Sequence, residues 1–213
     1  GNWKMNPLTL KEAEKLFSSV AKAVSHVKKT EIVVCPPFLY LEKLAKIRTS
    51  KIKLGAQDSF YEDVGPFTGE ISPVMLDNAG IKYVILGHSE RRSPPSAHFG
   101  GGGGETDALI NKKIKVSLGA GLIPILCVGE SVRDESHSYF NLVKTQLTEC
   151  LDGIKKTSIS KIIIAYEPVW AISSTADRKD ATPSDCLEMA IFIHKILSDK
   201  FGSDAAKTKI IYG

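Results

Sequence analysis

The sequence has few cysteines, little net charge and no long apolar run, and each shortage excludes a class of protein. Its four cysteines show neither Cys-x-x-Cys spacing nor the density of a disulfide framework. Cys35 and Cys127 end apolar runs, so we predict that they are buried thiols of a reducing cytosol. Because we also recognise no signal peptide and no run long enough to span a bilayer, we expect a cytoplasmic protein.

The formal charge of +4 is mild, and the lysines are scattered along helical stretches instead of forming a block. This distribution argues against a nucleic-acid partner and against a membrane partner, and it suits a small anionic substrate. Apolar residues make up 43% of 213 residues. That content predicts a single globular domain over residues 1–213 with a sizeable core.

Strand and helix patterns alternate with a period of about thirty residues, which is the length of a βαβ unit. Helices are favoured between the strands, and two begin with clear signals: Thr9 with Glu12 forms a capping box, and Thr182 precedes Pro183. The predicted strands cover residues 1–4 (without its beginning), 32–35, 53–57, 83–86, 123–128, 162–166 and 209–212.

Two α/β architectures fit this alternation, an open doubly wound sheet and a (β/α)₈ barrel. No G-x-G-x-x-G follows a strand, and the glycine run at 100–104 has no strand before it, so a dinucleotide site is unsupported. Polar groups follow the first, fourth and sixth predicted strands. They favour the barrel, because barrel sites collect at the carboxyl ends of the strands.

The stretch at 162–171 carries the most specific of these groups. A continuous β-branched run, typical of a strand buried on both faces, is followed by Glu167 and then at once by Pro168. The proline disfavours a helical backbone at Glu167 and thereby restricts where the carboxylate points. A carboxylate after a strand is usually a solvated loop residue. Here His88 and Lys4 occupy equivalent strand-end positions, which favours a site.

Five motifs, in order along the chain, closely resemble the triosephosphate isomerase family. They are residues 2–6 (Asn-Trp-Lys-Met-Asn), 87–92 (Gly-His-Ser-Glu-Arg-Arg), 127–130 (Cys-Val-Gly-Glu), 165–171 (Ala-Tyr-Glu-Pro-Val-Trp-Ala) and 211–213 (Ile-Tyr-Gly). The resemblance implies a TIM barrel, here truncated after the seventh strand, with the eighth βα unit absent. It also implies interconversion of dihydroxyacetone phosphate and glyceraldehyde 3-phosphate without cofactor or metal.

The resemblance further implies a role for each matching residue. Glu167 matches the general base, and His88 matches the electrophile that polarises the substrate carbonyl. In triosephosphate isomerase that histidine is the well-known example of an imidazole kept neutral by a helix N-terminus. Lys4 matches a lysine that stabilises the enediolate and holds the phosphate. Asn2 matches a substrate-binding side chain that orients the lysine.

Two supporting residues also come from the resemblance. Glu90 matches a carboxylate that pairs with Lys4 or moves protons. Thr68 lies in a loop resembling the one by which each subunit of a homodimer completes its partner's site, so a homodimer is expected. Trp170 is expected to act as a lid hinge and packing residue.

The chain departs from the family pattern in its lid and in two short inserts. The lid glycines are replaced in residues 171–182, although the backbone amide of Ser173 is still expected to contact phosphate. The inserts fall at 93–96 and 101–104, just beyond His88 and Glu90. These departures leave an alternative open, a catalytically weak or inactive barrel fragment that serves as a folding or assembly unit.

Overall fold

The protein is described by a computed structural model that covers residues 1–47, 49, 51–92, 104–172 and 179–213. The chain divides into two compact units. The first contains residues 1–85 and 116–123, and the second contains residues 86–115 and 124–213. The expectation of one domain over the whole chain stays a prediction.

The elements follow the predicted alternation. The helices are α1 (Leu10–Ala23), α2 (Phe38–Ala45), α3 (Pro73–Asn78), α4 (Ser89–Arg92), α5 (Asp107–Gly119), α6 (Tyr139–Cys150), α7 (Lys156–Ile159) and α8 (Pro183–Phe201), with 3₁₀ turns at Val169–Ala171 and Gly202–Lys207. The strands are β1 (Ile32–Val34), β2 (Ile52–Ala56), β3 (Tyr83–Leu86), β4 (Ile123–Val128), β5 (Ile163–Tyr166) and β6 (Lys209–Tyr212). No helix in this described part of the chain has the length and apolar content needed to cross a membrane.

In the first unit, β1, β2 and β3 are parallel neighbours in that order. Helix α1 begins at the predicted capping box, in which Thr9 and Glu12 satisfy each other's backbone N–H groups. Its apolar face, with Phe17 fully buried, joins α2 and the two adjacent strands in a core. This core contains Ala13, Phe17, Val34, Tyr40, Leu44 and Ile52.

One predicted strand in this unit is wrong. Residues 1–4 make only a single parallel bridge, between Asn2 and Cys35, so six of the seven predicted strands are confirmed. The reason is local. Lys4 adopts a left-handed backbone with φ of 51°, so the chain leaves the extended path at this residue.

In the second unit, β4, β5 and β6 are likewise parallel and in order, with Cys127 opposite Ala165 and Ala165 opposite Ile211. Strands β4 and β5 are continuous apolar runs that are buried on both faces, whereas β6 is largely exposed. Helix α8 begins at Thr182 with a second capping box, completed by Asp185, and Pro183 takes the first turn as predicted. Fully buried side chains form the core of the unit. They include Ile110, Ile114, Leu126, Val143, Leu147, Ile164, Met189, Ile193 and Leu197.

Candidate active site

Glu167 lies directly after β5, where the second unit's parallel strands end. Its main-chain N–H donates to the Val128 carbonyl oxygen at 2.8 Å, which extends the pairing of β4 and β5 by one residue. Pro168 follows with φ of −67° and ψ of 97°. The Glu167 side chain is buried, with 8% of the residue exposed. The carboxylate is therefore held at the strand end and not left in a solvated loop.

His88 is presented by a tight turn at the end of β3. Gly87 has φ of +71°, a conformation that a residue with a side chain rarely adopts. A Cβ at Gly87 would also lie 2.9 Å from both the Arg92 guanidinium and the Ile110 side chain. Immediately after His88 the chain starts the predicted helical turn α4. The imidazole itself is buried, with 8% of the residue exposed.

The structure brings His88 and Glu167 together. Nε2 of His88 lies 3.5 Å from Oε1 of Glu167, and the Ser89 N–H donates to the other carboxylate oxygen at 3.2 Å. On the far side of the ring, the Glu90 N–H donates to Nδ1 at 3.2 Å. A ring nitrogen that accepts this hydrogen bond carries no proton, so Nε2 is the nitrogen that can donate. The imidazole N–H therefore points towards the carboxylate.

Glu90 lies beside the same ring. Its Oε2 is 3.8 Å from Nδ1 of His88, and its side chain is 40% exposed. Glu90 therefore lies next to the Nδ1 edge of the imidazole, whereas Glu167 lies next to the Nε2 edge.

Asn2 and Lys4 lie together in the first unit. The Lys4 N–H donates to Oδ1 of Asn2 at 2.9 Å, and the Lys4 carbonyl oxygen accepts from Nε2 of Gln57 at 2.8 Å. Gln57 also donates to the Cys35 carbonyl oxygen at 2.9 Å. The main chain of Lys4 is thereby fixed on both sides in its left-handed conformation. The Asn2 side chain therefore contacts the main chain of Lys4.

The remaining predicted features are Thr68, the two inserts and the lid. Thr68 is exposed in the turn that follows Phe67. The insert at 93–96 and the first three residues of the glycine insert lie outside the described residues. Residues 173–178 of the lid, including Ser173, lie outside them as well.

Sequence reasoning missed Glu130, the last residue of the Cys-Val-Gly-Glu motif. Its Oε1 accepts from the Tyr166 hydroxyl at 2.8 Å, from Trp170 Nε1 at 2.9 Å and from Arg133 Nε at 3.1 Å. The Glu130 carboxylate is fully buried. Burial of the Tyr166 hydroxyl, together with the negative charge of Glu130 beside it, raises the pKa of Tyr166 above its usual range. Trp170, expected to be a hinge and packing residue, is thus tied to β4 by its indole N–H.

Arg92 was also missed, although it ends the Gly-His-Ser-Glu-Arg-Arg motif. Its guanidinium donates to two strand-end carbonyl oxygens, that of Gly87 at 2.6 Å and that of Cys127 at 3.1 Å. It also pairs with Asp107. The thiol of Cys150 lies against this pair, and burial raises its pKa to about 12. Arg92 therefore holds the turn that presents His88.

An ion triad lies just beyond α4, in which Glu105 and Lys113 are buried and Arg91 is partly exposed. Oε1 of Glu105 accepts from Lys113 Nζ at 2.6 Å and from Arg91 Nε at 2.7 Å. Burial opposes ionisation of this carboxyl, but the two cations outweigh burial and lower its pKa below the usual value. The triad anchors α4, and hence the Glu90 N–H, to the start of α5.

The arrangement is suited to proton transfer next to a carbonyl group. A buried carboxylate can accept a proton, and the adjacent imidazole N–H can donate a hydrogen bond to a carbonyl oxygen. Among residues 1–47, 49, 51–92, 104–172 and 179–213, no group of three His, Cys, Asp or Glu side chains could hold a metal ion.

Comparison with known proteins identifies the family of the chain. The family model described as triosephosphate isomerase matches residues 1–213. The chain belongs to the triosephosphate isomerase family. A triosephosphate isomerase from Caldanaerobacter subterraneus is 44% identical over 217 residues, covering 100% of this chain and 82% of that protein. One from Dehalococcoides mccartyi is 45% identical over 216 residues, covering 100% of this chain and 79% of that protein.

A solved structure gives the same assignment for the fold. The crystal structure of triosephosphate isomerase from Bartonella henselae is 35% identical, with a TM-score of 0.81. The match covers 100% of this chain and 80% of that one. The predicted fold class is therefore confirmed. The chain has the TIM-barrel fold of the triosephosphate isomerase family.

Proposed function

We propose that the protein interconverts dihydroxyacetone phosphate and D-glyceraldehyde 3-phosphate, and that Glu167 and His88 carry the reaction. The observation that carries this proposal is the opposed pair of buried groups. A neutral imidazole N–H lies 3.5 Å from a carboxylate whose other oxygen is held by the Ser89 N–H. This separation is longer than a strong N–H···O hydrogen bond, so a substrate oxygen can replace the contact at little cost.

The proposed mechanism needs only side chains of this protein. Glu167 removes a proton from the hydroxymethyl carbon of dihydroxyacetone phosphate, and the electron pair moves to the carbonyl oxygen to give an enediolate. His88 donates its Nε2 hydrogen bond to that oxygen as negative charge develops. After a proton moves between the two enediolate oxygens, Glu167 returns its proton to the neighbouring carbon and the aldehyde forms.

We further propose that Lys4 and Asn2 serve the substrate. The ammonium of Lys4 stabilises the enediolate and the phosphate dianion, and Asn2 orients the lysine through the hydrogen bond to its N–H. Glu90 supports His88, because its N–H accounts for the tautomer and its carboxylate lies 3.8 Å from the ring.

A homodimer in the cytoplasm is part of this proposal. The loop that carries Thr68 is ordered by aromatic contacts, with the Phe60 ring 4.2 Å from Tyr61 and 4.6 Å from Phe67. Such an ordered, exposed loop can present Thr68 to a second copy of the chain. Buried thiols suit a reducing compartment.

The test is isomerase activity of the Glu167→Gln variant. Glutamine keeps the size of the side chain but cannot accept the proton, so turnover is expected to fall by roughly 10²–10⁴-fold. Glu149→Gln, at an exposed carboxylate on α6, is the matched control and should keep full activity.

Two results would contradict the proposal. Equal turnover in Glu167→Gln and the unmodified chain would exclude Glu167 as the base. No turnover from a folded, unmodified chain would favour the alternative, a barrel fragment that acts only as a folding or assembly unit.

A further inference from the structure

Gln146 on helix α6 binds both main-chain polar groups of Gly129. The Gly129 N–H donates to Oε1 at 2.9 Å, and Nε2 donates to the Gly129 carbonyl oxygen at 3.1 Å. Only this orientation of the carboxamide satisfies both groups, since the flipped orientation would set donor against donor. Gln146 is buried, so water cannot readily replace either bond.

Gly129 in turn lies against the main chain of Glu167. A Cβ at Gly129 would lie 1.8 Å from the Glu167 carbonyl oxygen and 2.6 Å from its carbonyl carbon. Two hydrogen bonds flank this contact, from the Glu167 N–H to Val128 O at 2.8 Å and from the Val169 N–H to Glu130 O at 2.9 Å. The main chain at 128–130 therefore supports the main chain at 167–169.

A cavity of about 280 Å³ borders the same residues. Its lining includes Gly129, Leu142, Gln146 and Glu167. Side chains therefore do not fill the space next to Glu167, and the lost contacts make packing a weak restraint on this side. The main-chain support must then carry more of the positioning of the carboxylate.

We infer that Gln146 is a positioning residue, which holds the Gly129 peptide at the depth where Glu167 meets His88 and Ser89. The inference rests on the proposed function, in which Glu167 takes the substrate proton. A displacement of the base of about 1 Å is enough to lower the rate by roughly 10²-fold. Gln146 acts only through Gly129.

Replacing Gln146 by methionine tests the inference. Gln146→Met keeps the length of the side chain but leaves both Gly129 groups unpaired. We expect kcat to fall roughly 10–100-fold, with a larger deuterium isotope effect for substrate labelled at the reacting carbon. Competitive inhibition by inorganic phosphate should be unchanged, because the phosphate does not contact the base.

Val143→Ala is the matched control. Val143 is fully buried on the same helix, and its apolar side chain cannot form a hydrogen bond to Gly129. Its truncation therefore lowers stability but leaves the hydrogen bonds that hold the Gly129 peptide. The inference is overturned if Gln146→Met keeps kcat within twofold of the unmodified chain. It is also overturned if Val143→Ala lowers kcat and raises the isotope effect equally.

A Gln146→Glu variant gives a conservative rescue. When protonated, the introduced carboxyl has the shape and the hydrogen-bonding groups of the carboxamide, whereas the ionised form repels the Gly129 carbonyl oxygen. The activity of this variant relative to the unmodified chain should therefore rise as the pH is lowered from 8 to 5.5. A flat or falling ratio would contradict the inference.

Amide hydrogen exchange separates this inference from the proposed function. In Gln146→Met, exchange at the Gly129, Glu167 and Val169 N–H groups should accelerate at least tenfold more than in Val143→Ala. If the unmodified chain is inactive but this acceleration occurs, the proposed function fails and the support by Gln146 stands. If the chain is active and the two variants exchange alike, the inference alone fails.

Discussion

The hydrogen bond from the Glu90 N–H to His88 decides which ring nitrogen carries the proton. With Nδ1 occupied as an acceptor, Nε2 is the donor, and it lies on the side of Glu167. A neutral imidazole is the weaker acid, but it needs no counter-charge in a buried site. The direction of one main-chain bond thus determines what the imidazole can do for a substrate oxygen.

At the residue scale we predict that His88→Gln lowers kcat by roughly 10²–10³-fold, as the loss of one oriented donor does elsewhere. The glutamine amide can donate a hydrogen bond, but its donor is not fixed by the Glu90 N–H. Steady-state kinetics measure the effect. His194→Gln, at an exposed position on α8, is the control and should leave kcat unchanged. If His88→Gln is as active as the unmodified chain, the imidazole has no role in the mechanism.

Some residues of the site could be predicted from the sequence and others could not. His88 and Glu167 stand in motifs at strand ends, and the structure brings them together. Gln146 and Arg92 act on main-chain atoms 17 and 35 residues away, in Gly129 and Cys127 respectively. A glutamine on an amphipathic helix has no pattern that distinguishes such a role, because the contact depends on tertiary packing.

At the element scale, the two capping boxes differ in what else they hold. Glu12 closes the box at the start of α1, and Asp185 closes the one at the start of α8. Asp185 Oδ1 also accepts from Arg133 at 2.9 Å, while Arg133 contacts the buried Glu130. The start of α8 is therefore connected to the strand end that carries the Cys-Val-Gly-Glu motif.

We predict that Asp185→Ala destabilises the protein more than Glu12→Ala does. Loss of either N3 carboxylate, with the N-cap threonine kept, should cost at most about 1 kcal/mol of unfolding free energy, the typical cost of losing an N-cap residue. Asp185→Ala should cost more because it also leaves Arg133 with fewer partners. Urea unfolding of the two variants makes the comparison, and equal losses would show that the bond between Arg133 and Asp185 adds no stability.

The boundaries of these elements were also predictable in part. Caps at Thr9 and Thr182 are confirmed because a side-chain oxygen and a neighbouring N–H determine the helix start locally. The sequence pattern predicts a helix over residues 139–154, which ends later than α6 does. The helix stops at Cys150, and Gly153 takes a left-handed conformation with φ of +67°.

At the scale of the whole molecule, the alternation of strands and helices predicted an α/β fold, and the polar groups at strand ends together with the five family motifs favoured the barrel over the open sheet. The pattern is a property of every βα unit, so it survives local errors such as the bridge at Asn2. The division of contacts into two compact units was not predicted, because it depends on packing between residues that are distant in sequence.

Acid stability provides a prediction at this scale. The pKa of Glu105 lies below 4.5, the value expected for the unfolded chain. Its ionised form therefore stabilises the fold above that pH, and this stabilisation is lost as the pH falls through the lower, folded pKa. The unfolding free energy of the protein should fall between about pH 5 and 3, where such carboxyls titrate.

The Glu105→Gln variant isolates this contribution. At pH 7 the variant should be less stable by about 3 kcal/mol, since the buried Lys113 loses its ion pair with Glu105. Its unfolding free energy should also fall less steeply between about pH 5 and 3. Glu62→Gln, at an exposed position, is the control and should follow the unmodified chain. If Glu105→Gln loses unfolding free energy at low pH as steeply as the unmodified chain, the triad is not the cause of that loss. Denaturant unfolding at several pH values measures both.

The buried thiols allow unfolding to be followed by chemical labelling. Cys35 belongs to the first unit, whereas Cys127 and Cys150 belong to the second; none of these three thiols is in a disulfide, and all three are buried. Burial raises the pKa of Cys35 to about 11, so a thiol reagent meets almost no thiolate there while the protein is folded. Labelling of the cysteines in each unit therefore reports when that unit opens. The order in which an alkylating mass label appears on these cysteines records which unit opens first.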